Sequence, residues 1–198
     1  VPAADASPSA IFVTAIDTEP LAADVEIALQ GRSADFEDGL LALARLDAGA
    51  VYLCRKPGAE VGAGMAHGVS VQDFEGPHPA GLPGTHIHLL APVSRSRTVW
   101  HIGYNDVADI GELFRTGRLP VTRVISLAGP GVKNPRLLRT RLGASVDTLV
   151  QGELHDGEVR VISGSVLSGT VASGEALGYL GRFSRQITVL HEGRKRHF

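Results

Sequence analysis

A change of hydrophobic period near residue 120 divides this sequence between two architectures. Before it, short apolar runs alternate with helical spacing. Ala10–Ile16 (AIFVTAI), bounded by Pro8 and Asp17, reads as a buried strand. Asp17-Thr18-Glu19-Pro20 turns the chain, and Leu21–Leu29 is expected to form a short helix. Ser33 is the expected N-cap of the next helix, with Asp35, Glu37 and Asp38 complementing its positive end. Phe36, Leu40, Leu43 and Ala44 follow at helical spacing, Gly49 is the expected C′ residue, and Val51–Cys54 reads as the next strand. Strand, helix and strand in that order predict a parallel βαβ unit with a right-handed crossover. Further on, Asn105 or Asp106 is expected to cap a helix through Val107, Ile110, Leu113 and Phe114 that ends near Gly117.

After residue 120 the period becomes two. Val121, Arg123, Ile125 and Leu127 share one face of a strand, and a second strand runs over Leu137–Leu142 after the Gly129-Pro130-Gly131 turn. Ser145 is the expected N-cap of a short helix carrying Val146, Leu149 and Val150. Strands at Arg160–Leu167 and Arg185–Leu190 follow the turn at Gly157. A hairpin, a short helix across it and further strands predict a β-grasp. The expected fold is therefore α/β followed by α+β, with the boundary near Arg118–Val121: residues 1–119 and 120–198.

Composition narrows the function classes. The single cysteine, Cys54, excludes a disulfide framework and any multi-cysteine zinc or iron–sulfur site. No apolar run approaches the roughly 20 residues that cross a bilayer. A net charge of −2 gives no overall case for nucleic acid, yet residues 1–70 hold 4 basic and 10 acidic side chains while the remainder is net basic. The chain opens on Val1 and its only methionine is Met65, so processing or truncation is expected; nothing at the front resembles a signal peptide.

The candidate chemistry clusters in the middle. Gly62-Ala63-Gly64-Met65-Ala66-His67-Gly68 misses the dinucleotide fingerprint and precedes a strand-like run, Val69–Phe74, so it reads as an ordinary turn. In Gly76–His88 (GPHPAGLPGTHIH), three prolines and three glycines argue against any regular helix or central strand. On an extended segment His86 and His88 would leave one face, and with His78 or His101 they could supply three nitrogens to zinc or iron. The plainer reading is a rigid loop whose histidines bond its own carbonyls, since no carboxylate lies between Glu75 and Asp106. Trp100, beside that loop, either packs in the core or helps line a pocket for a planar ring.

Other residues point to no catalytic apparatus. No nucleophile elbow is complete at Gly164-Ser165-Val166, and Cys54, ending a buried strand, is expected to be a packing residue. Lys133, Arg136, Arg139 and Arg141 make a basic stripe without interleaved aromatics, expected to be solvated or partner-facing. Arg194-Lys195-Arg196 reads as a solvated end.

Several segments together resemble a known family. GPHPAGLPGTHIH, VWHIGY (99–104), VKNPRLLR (132–139), RVISGSVLSGT (160–170) and, at the front, AIFVTAIDTEPLAAD and FEDGL resemble the A subunit of the sodium-translocating NADH:quinone oxidoreductase, a bacterial respiratory complex. Residues 121–166 also resemble the soluble-ligand-binding β-grasp module, through Gly131-Val132-Lys133-Asn134-Pro135 and Gly143-Ala144-Ser145. The resemblance implies an incomplete Rossmann-like domain followed by that β-grasp, an internal piece of a longer peripheral subunit on the cytoplasmic face of the inner membrane. It implies no covalent cofactor here, with NADH, flavins and the iron–sulfur cluster handled by sister subunits. Partners would be those subunits and ubiquinone, with no nucleic acid. Ring-binding chemistry, not the family pattern, nominates His78, Pro79, Gly81, Gly84, His86, His88 and Trp100 for the quinone. No catalytic or metal-ligating residue is expected in the piece itself. The competing expectation is a stand-alone metal enzyme using His78, His86, His88 and His101.

Overall fold

A computed structural model describes all residues except 1, 4, 47, 63–67 and 195–198. The chain divides into two compact units, Val1–Thr18 with Asp24–Pro120, and Glu19–Ala23 with Val121–Phe198.

In the first unit, β1 (Ala10–Ala15) is buried along its whole length, as a strand covered on both faces must be. The helix that follows is shorter than Leu21–Leu29: α1 spans Val25–Ala28, and its N-cap Asp24 accepts from the Glu26 backbone N–H at 2.9 Å. Next comes α2 (Ser33–Ala44), with Arg32 at the cap position, so Ser33 is the first helical residue and not the cap. The helix stops at Arg45, not at Gly49. Gly49 serves a close approach instead: a Cβ there would lie 2.5 Å from the Ser9 carbonyl oxygen. Then follow β2 (Val51–Arg55), β3 (Val69–Asp73), α3 (Pro83–Leu90), β4 (Val99–Gly103) and α4 (Tyr104–Thr116). Gly103 is the N-cap of α4, so Asn105 and Asp106 sit inside its first turn. Its end is as expected, on Gly117 at φ 68°, whose N–H bonds the Leu113 carbonyl.

The helix α3 corrects the expectation of a wholly irregular Gly76–His88 loop. Pro83 occupies the first turn, where its missing N–H costs no hydrogen bond and its fixed φ already suits a helix. Proline and glycine counted over thirteen residues obscure a boundary at Pro83.

All four strands are parallel in the order β3-β2-β1-β4. On one face Ala10, Phe12 and Cys54 pack with Tyr52, Phe74, Val99 and with Ile87, Leu90 and Ala91 from the α3 region. On the other face Leu53 converges with Phe36 and Leu40 of α2. There α2 and α4 cross with almost no gap. A Cβ on Gly39 would lie 1.9 Å from the Val107 carbonyl oxygen, and one on Gly111 would lie 1.8 Å from that of Asp35. The crossing is clamped by charge. Buried Asp35 accepts from Arg115 Nε at 3.0 Å, and Arg32 bridges to Asp109 at 2.8 Å and Glu112 at 3.0 Å. Sequence position gives Asp35 only a role in complementing the α2 dipole; the ion pair explains its burial.

The second unit holds β5 (Thr122–Ala128), β6 (Arg136–Arg141), α5 (Val146–Val150), β7 (Val159–Ser163), β8 (Thr170–Val171), α6 (Gly174–Leu177) and β9 (Gln186–His191). Its sheet runs β6-β5-β9-β7-β8, with β5 and β9 parallel and the other pairs antiparallel. Arg123, Ile125 and Leu127 are buried on one face, as the period-two reading has them, whereas Val121 lies before β5 and is exposed. Ile125, Leu127, Ile187 and Val189 pack against Val146 and Val150 of α5. The Ser145 hydroxyl accepts from the Thr148 N–H, the cap that its sequence predicts.

Glu19–Ala23 belongs to this unit although it precedes α1. Gln186 Nε2 donates to the Pro20 carbonyl at 2.9 Å, and Ser168 Oγ donates to Glu19 at 2.6 Å. Between them the chain makes a tight turn, Ala22 N–H to the Glu19 carbonyl, with Leu21 at φ 65° in the left-handed region that side chains disfavour.

Candidate functional site

The candidate residues lie at the carboxyl end of β1 and along α3. Thr18, just past β1, anchors the loop: its hydroxyl accepts from the Gly81 N–H at 2.9 Å and lies 3.4 Å from His78 Nδ1. The contact needs glycine, since a Cβ on Gly81 would lie 2.7 Å from the Thr18 nitrogen. Pro79 is exposed, and its carbonyl accepts from the Thr85 hydroxyl at 2.9 Å, joining the loop to the first turn of α3. Gly84 in that turn has no atom within 4 Å of where a Cβ would stand. It reserves open surface.

His86 is fully buried. Its Nε2 lies 2.8 Å from the Ala80 carbonyl, which can only accept, so the imidazole donates there. Its Nδ1 has no partner, and the ring tilts against Phe74 with centroids 4.1 Å apart. Burial holds its pKa below the usual histidine value, and the hydrogen bond to Ala80 only partly offsets that. His86 is thus a neutral core histidine that closes the 80–86 loop on itself.

The expectation that His86 and His88 share a face rests on an extended segment. On a helix two residues apart they diverge by about 200°, and His88 is exposed. His101 is exposed on β4. Among the described residues no group of three or more His, Cys, Asp or Glu could hold a metal ion. The His78, His86, His88 and His101 metal centre is not assembled.

Trp100 also stands apart from the loop. It pairs with Ile11, while its neighbours Val99 and His101 pair with Ala10 and Phe12. Alternate residues of a strand leave opposite faces, and Ala10, Phe12 and Val99 lie on the face that α3 covers. The half-buried indole therefore lies on the other face, away from His86. Of the seven nominated residues, the structure gathers His78, Pro79, Gly81, Gly84 and His86 around one loop and helix start. His88 lies further along the exposed side, and Trp100 across the sheet.

Cys54 is fully buried, and burial pushes its thiol up to about 12. It packs against Ala10 and Phe12 as the sequence expects. The glycine-bearing turn at 62–68 falls largely outside the described residues, as do Lys195 and Arg196 of the basic end. Arg194 is not simply solvated: its Nε donates to Glu158 at 3.0 Å. Sequence reasoning misses Thr18, reading it only as part of a turn. It also misses Thr14 and reads Asn105 only as a helix cap; their buried Oγ1 and Nδ2 have no partner. Only the partnership of Thr18 with Gly81 reveals its role, and no local signal marks it.

Comparison with known proteins places these features in context. Residues 1–119 match the family profile described as the NqrA second alpha/beta domain, and residues 124–174 match that described as the NQRA C-terminal domain. The chain is 54% identical over its whole length to the A subunit of the Na(+)-translocating NADH-quinone reductase of Pasteurella multocida, and equally so to that of Shewanella amazonensis. It spans 44% of the length of each of these relatives. Among solved structures, it resembles a chain of an NAD+-reducing [NiFe]-hydrogenase in the H2-reduced state, with TM-score 0.65 and 13% identity, over 94% of this chain and 41% of that one. That likeness speaks to fold alone.

Proposed function

Because the chain belongs to the NqrA family, the A subunits of the Na(+)-translocating NADH-quinone reductases, we propose that it works as part of such a protein. In this reading the assembled complex oxidises NADH, reduces ubiquinone and exports sodium. This part supplies assembly surface and one wall of a quinone site, with the redox cofactors carried by sister subunits. The observation that carries the reading is the 54% identity sustained along all 198 residues. The protein would sit peripherally on the cytoplasmic face of the bacterial inner membrane; among the described residues no helix is long and apolar enough to cross it.

Supporting an incomplete Rossmann-like first domain, residues 1–119, is the all-parallel order β3-β2-β1-β4. Supporting a β-grasp soluble-ligand-binding second domain, residues 120–198, is the order β6-β5-β9-β7-β8 with parallel central strands and α5 packed across one face. The quinone set narrows to His78, Pro79, Gly81, Gly84 and His88, where the loop and the exposed side of α3 leave open space at Gly84. His86 holds the shape from below, and Trp100 leaves the set.

Deleting the full-length protein from a bacterium of this type should abolish sodium-dependent NADH:quinone reductase activity in membranes, and the full-length gene that encodes this chain should restore it. Full activity in the deletion strain would overturn the proposal. For the quinone wall, a photoreactive short-chain ubiquinone should label peptides within residues 76–90 of the assembled complex, competed by unmodified ubiquinone. Labelling confined to other segments would remove the quinone role and leave assembly.

A further inference from the structure

We propose that the free edge of β6 receives an extended acidic segment of another chain by strand addition. In the sheet order β6-β5-β9-β7-β8, β6 is an outer strand with β5 on one side only. Alternate residues of an antiparallel edge strand direct N–H and C=O groups away from their neighbour; the Arg141 carbonyl accepts from the Ala144 N–H at 3.2 Å, and no described residue pairs with the outward backbone groups of Leu137 and Arg139.

The chemistry of the partner follows from the side chains. Leu138 pairs with Ile125 on the core face, so Leu137, Arg139 and Arg141 share the outer face with the exposed Thr122 and half-buried Val124. Arg139 and Arg141 are both exposed, and neither has an ion-pair or hydrogen-bond partner among the described residues. Nearby cations in the same unit are satisfied internally: Arg136 by Glu153 through two bonds, at 2.7 and 2.9 Å, Arg160 by Glu192, and Arg194 by Glu158. Two unpaired arginines on alternate residues, about 7 Å apart along the strand backbone, match carboxylates two residues apart on an added strand. Residues between those carboxylates would fall beside Leu138 and extend the core, so an alternating acidic–apolar segment fits both faces.

Like charges repel a second copy of the same edge, so these arginines select against self-pairing while favouring an acidic guest. The strand RLLRTR holds no aromatic on which a base could stack, which disfavours a nucleic-acid strand.

The test is a fluorescence-anisotropy titration of the full-length protein with a dye-labelled eight-residue peptide alternating Glu and Val. Saturable binding is expected, weakened at least tenfold by Arg139→Glu/Arg141→Glu and less by Arg139→Gln/Arg141→Gln. Two further peptides, N-methylated at odd or at even residues, separate strand addition from simple charge attraction without altering the protein. One should lose binding and the other keep it, because a β-strand presents only alternate N–H groups to β6. No saturable binding, equal binding of both methylated peptides, or tighter binding of a single-stranded oligonucleotide would each overturn the proposal.

Discussion

Replacing Gly111 with alanine should destabilise the protein, although the same change in most helix interiors stabilises it by about 1 kcal/mol. The new Cβ would stand 1.8 Å from the Asp35 carbonyl oxygen and 2.7 Å from the Gly39 nitrogen, both backbone atoms that no rotamer change can move. Reaching even 3.0 Å requires α2 and α4 to part by roughly 1.2 Å, taking 1.8 from 3.0. A gap of about 1 Å forfeits a quarter to a half of each dispersion contact along the seam. It also stretches the Asp35–Arg115 and Arg32–Asp109 bonds, now 3.0 and 2.8 Å. Overpacking of this kind costs about 1–3 kcal/mol, and loss of buried charge partners adds to it, so a net loss of about 2–3 kcal/mol is expected after the helix-propensity gain. For a chain of this size that is a fall in Tm of roughly 4–12 °C, read by circular dichroism. Gly84→Ala is the matched control, being helical with open space at its Cβ, and should leave Tm level or slightly raised. Gly39→Ala should cost about as much as Gly111→Ala, and the double variant less than their sum, because one separation relieves both clashes. A Tm for Gly111→Ala equal to or above that of Gly84→Ala would refute the close-crossing argument.

Two other changes test separate features. Burial lowers the His86 pKa in the folded state, so the unfolded chain binds the extra proton more readily; stability should be intact above about pH 6.5 and decline as pH falls below it. Urea midpoints between pH 5 and 8 should show that decline flattened in His86→Gln, and an unchanged slope would count against the neutral buried imidazole. Leu21→Gly relieves a left-handed residue at φ 65°. The strain is about 1–2 kcal/mol and the entropic cost of glycine about 0.5–1, so stability should hold or rise by up to about 1.5 kcal/mol. A loss above that size in chemical denaturation would mean that the Leu21 side chain itself holds the turn.

Much of the secondary structure is legible because its causes are local. The apolar run of β1, the helical spacing of Phe36, Leu40 and Leu43, the Ser145 cap and the Gly117 terminus each depend on residues within one or two turns. The helix α3 escapes for a reason equally local. Pro83 opens a helix as readily as it ends one, and counting glycines outweighs the spacing of His86, Ile87 and Leu90. The candidate site is less legible. Nothing within the loop says that His86 points inward while His88 points out, because that difference appears only once the segment coils.

By itself, the sequence determined the change of period near residue 120, the exclusion of disulfide and multi-cysteine metal chemistry by a single cysteine, and a resemblance strong enough to define a family. Tertiary structure alone decided which side chains meet. It set Trp100 on the face opposite the His-bearing helix, because strand register assigns each residue to one side of the sheet. It brought Gly39 and Gly111 into one crossing, and Asp35 into an ion pair 80 residues away. It drew Glu19–Ala23 into the second unit through Gln186, 166 residues from Pro20. Periodicity and caps are written in nearest neighbours, whereas these contacts depend on how separate elements pack, and no window of sequence contains both partners.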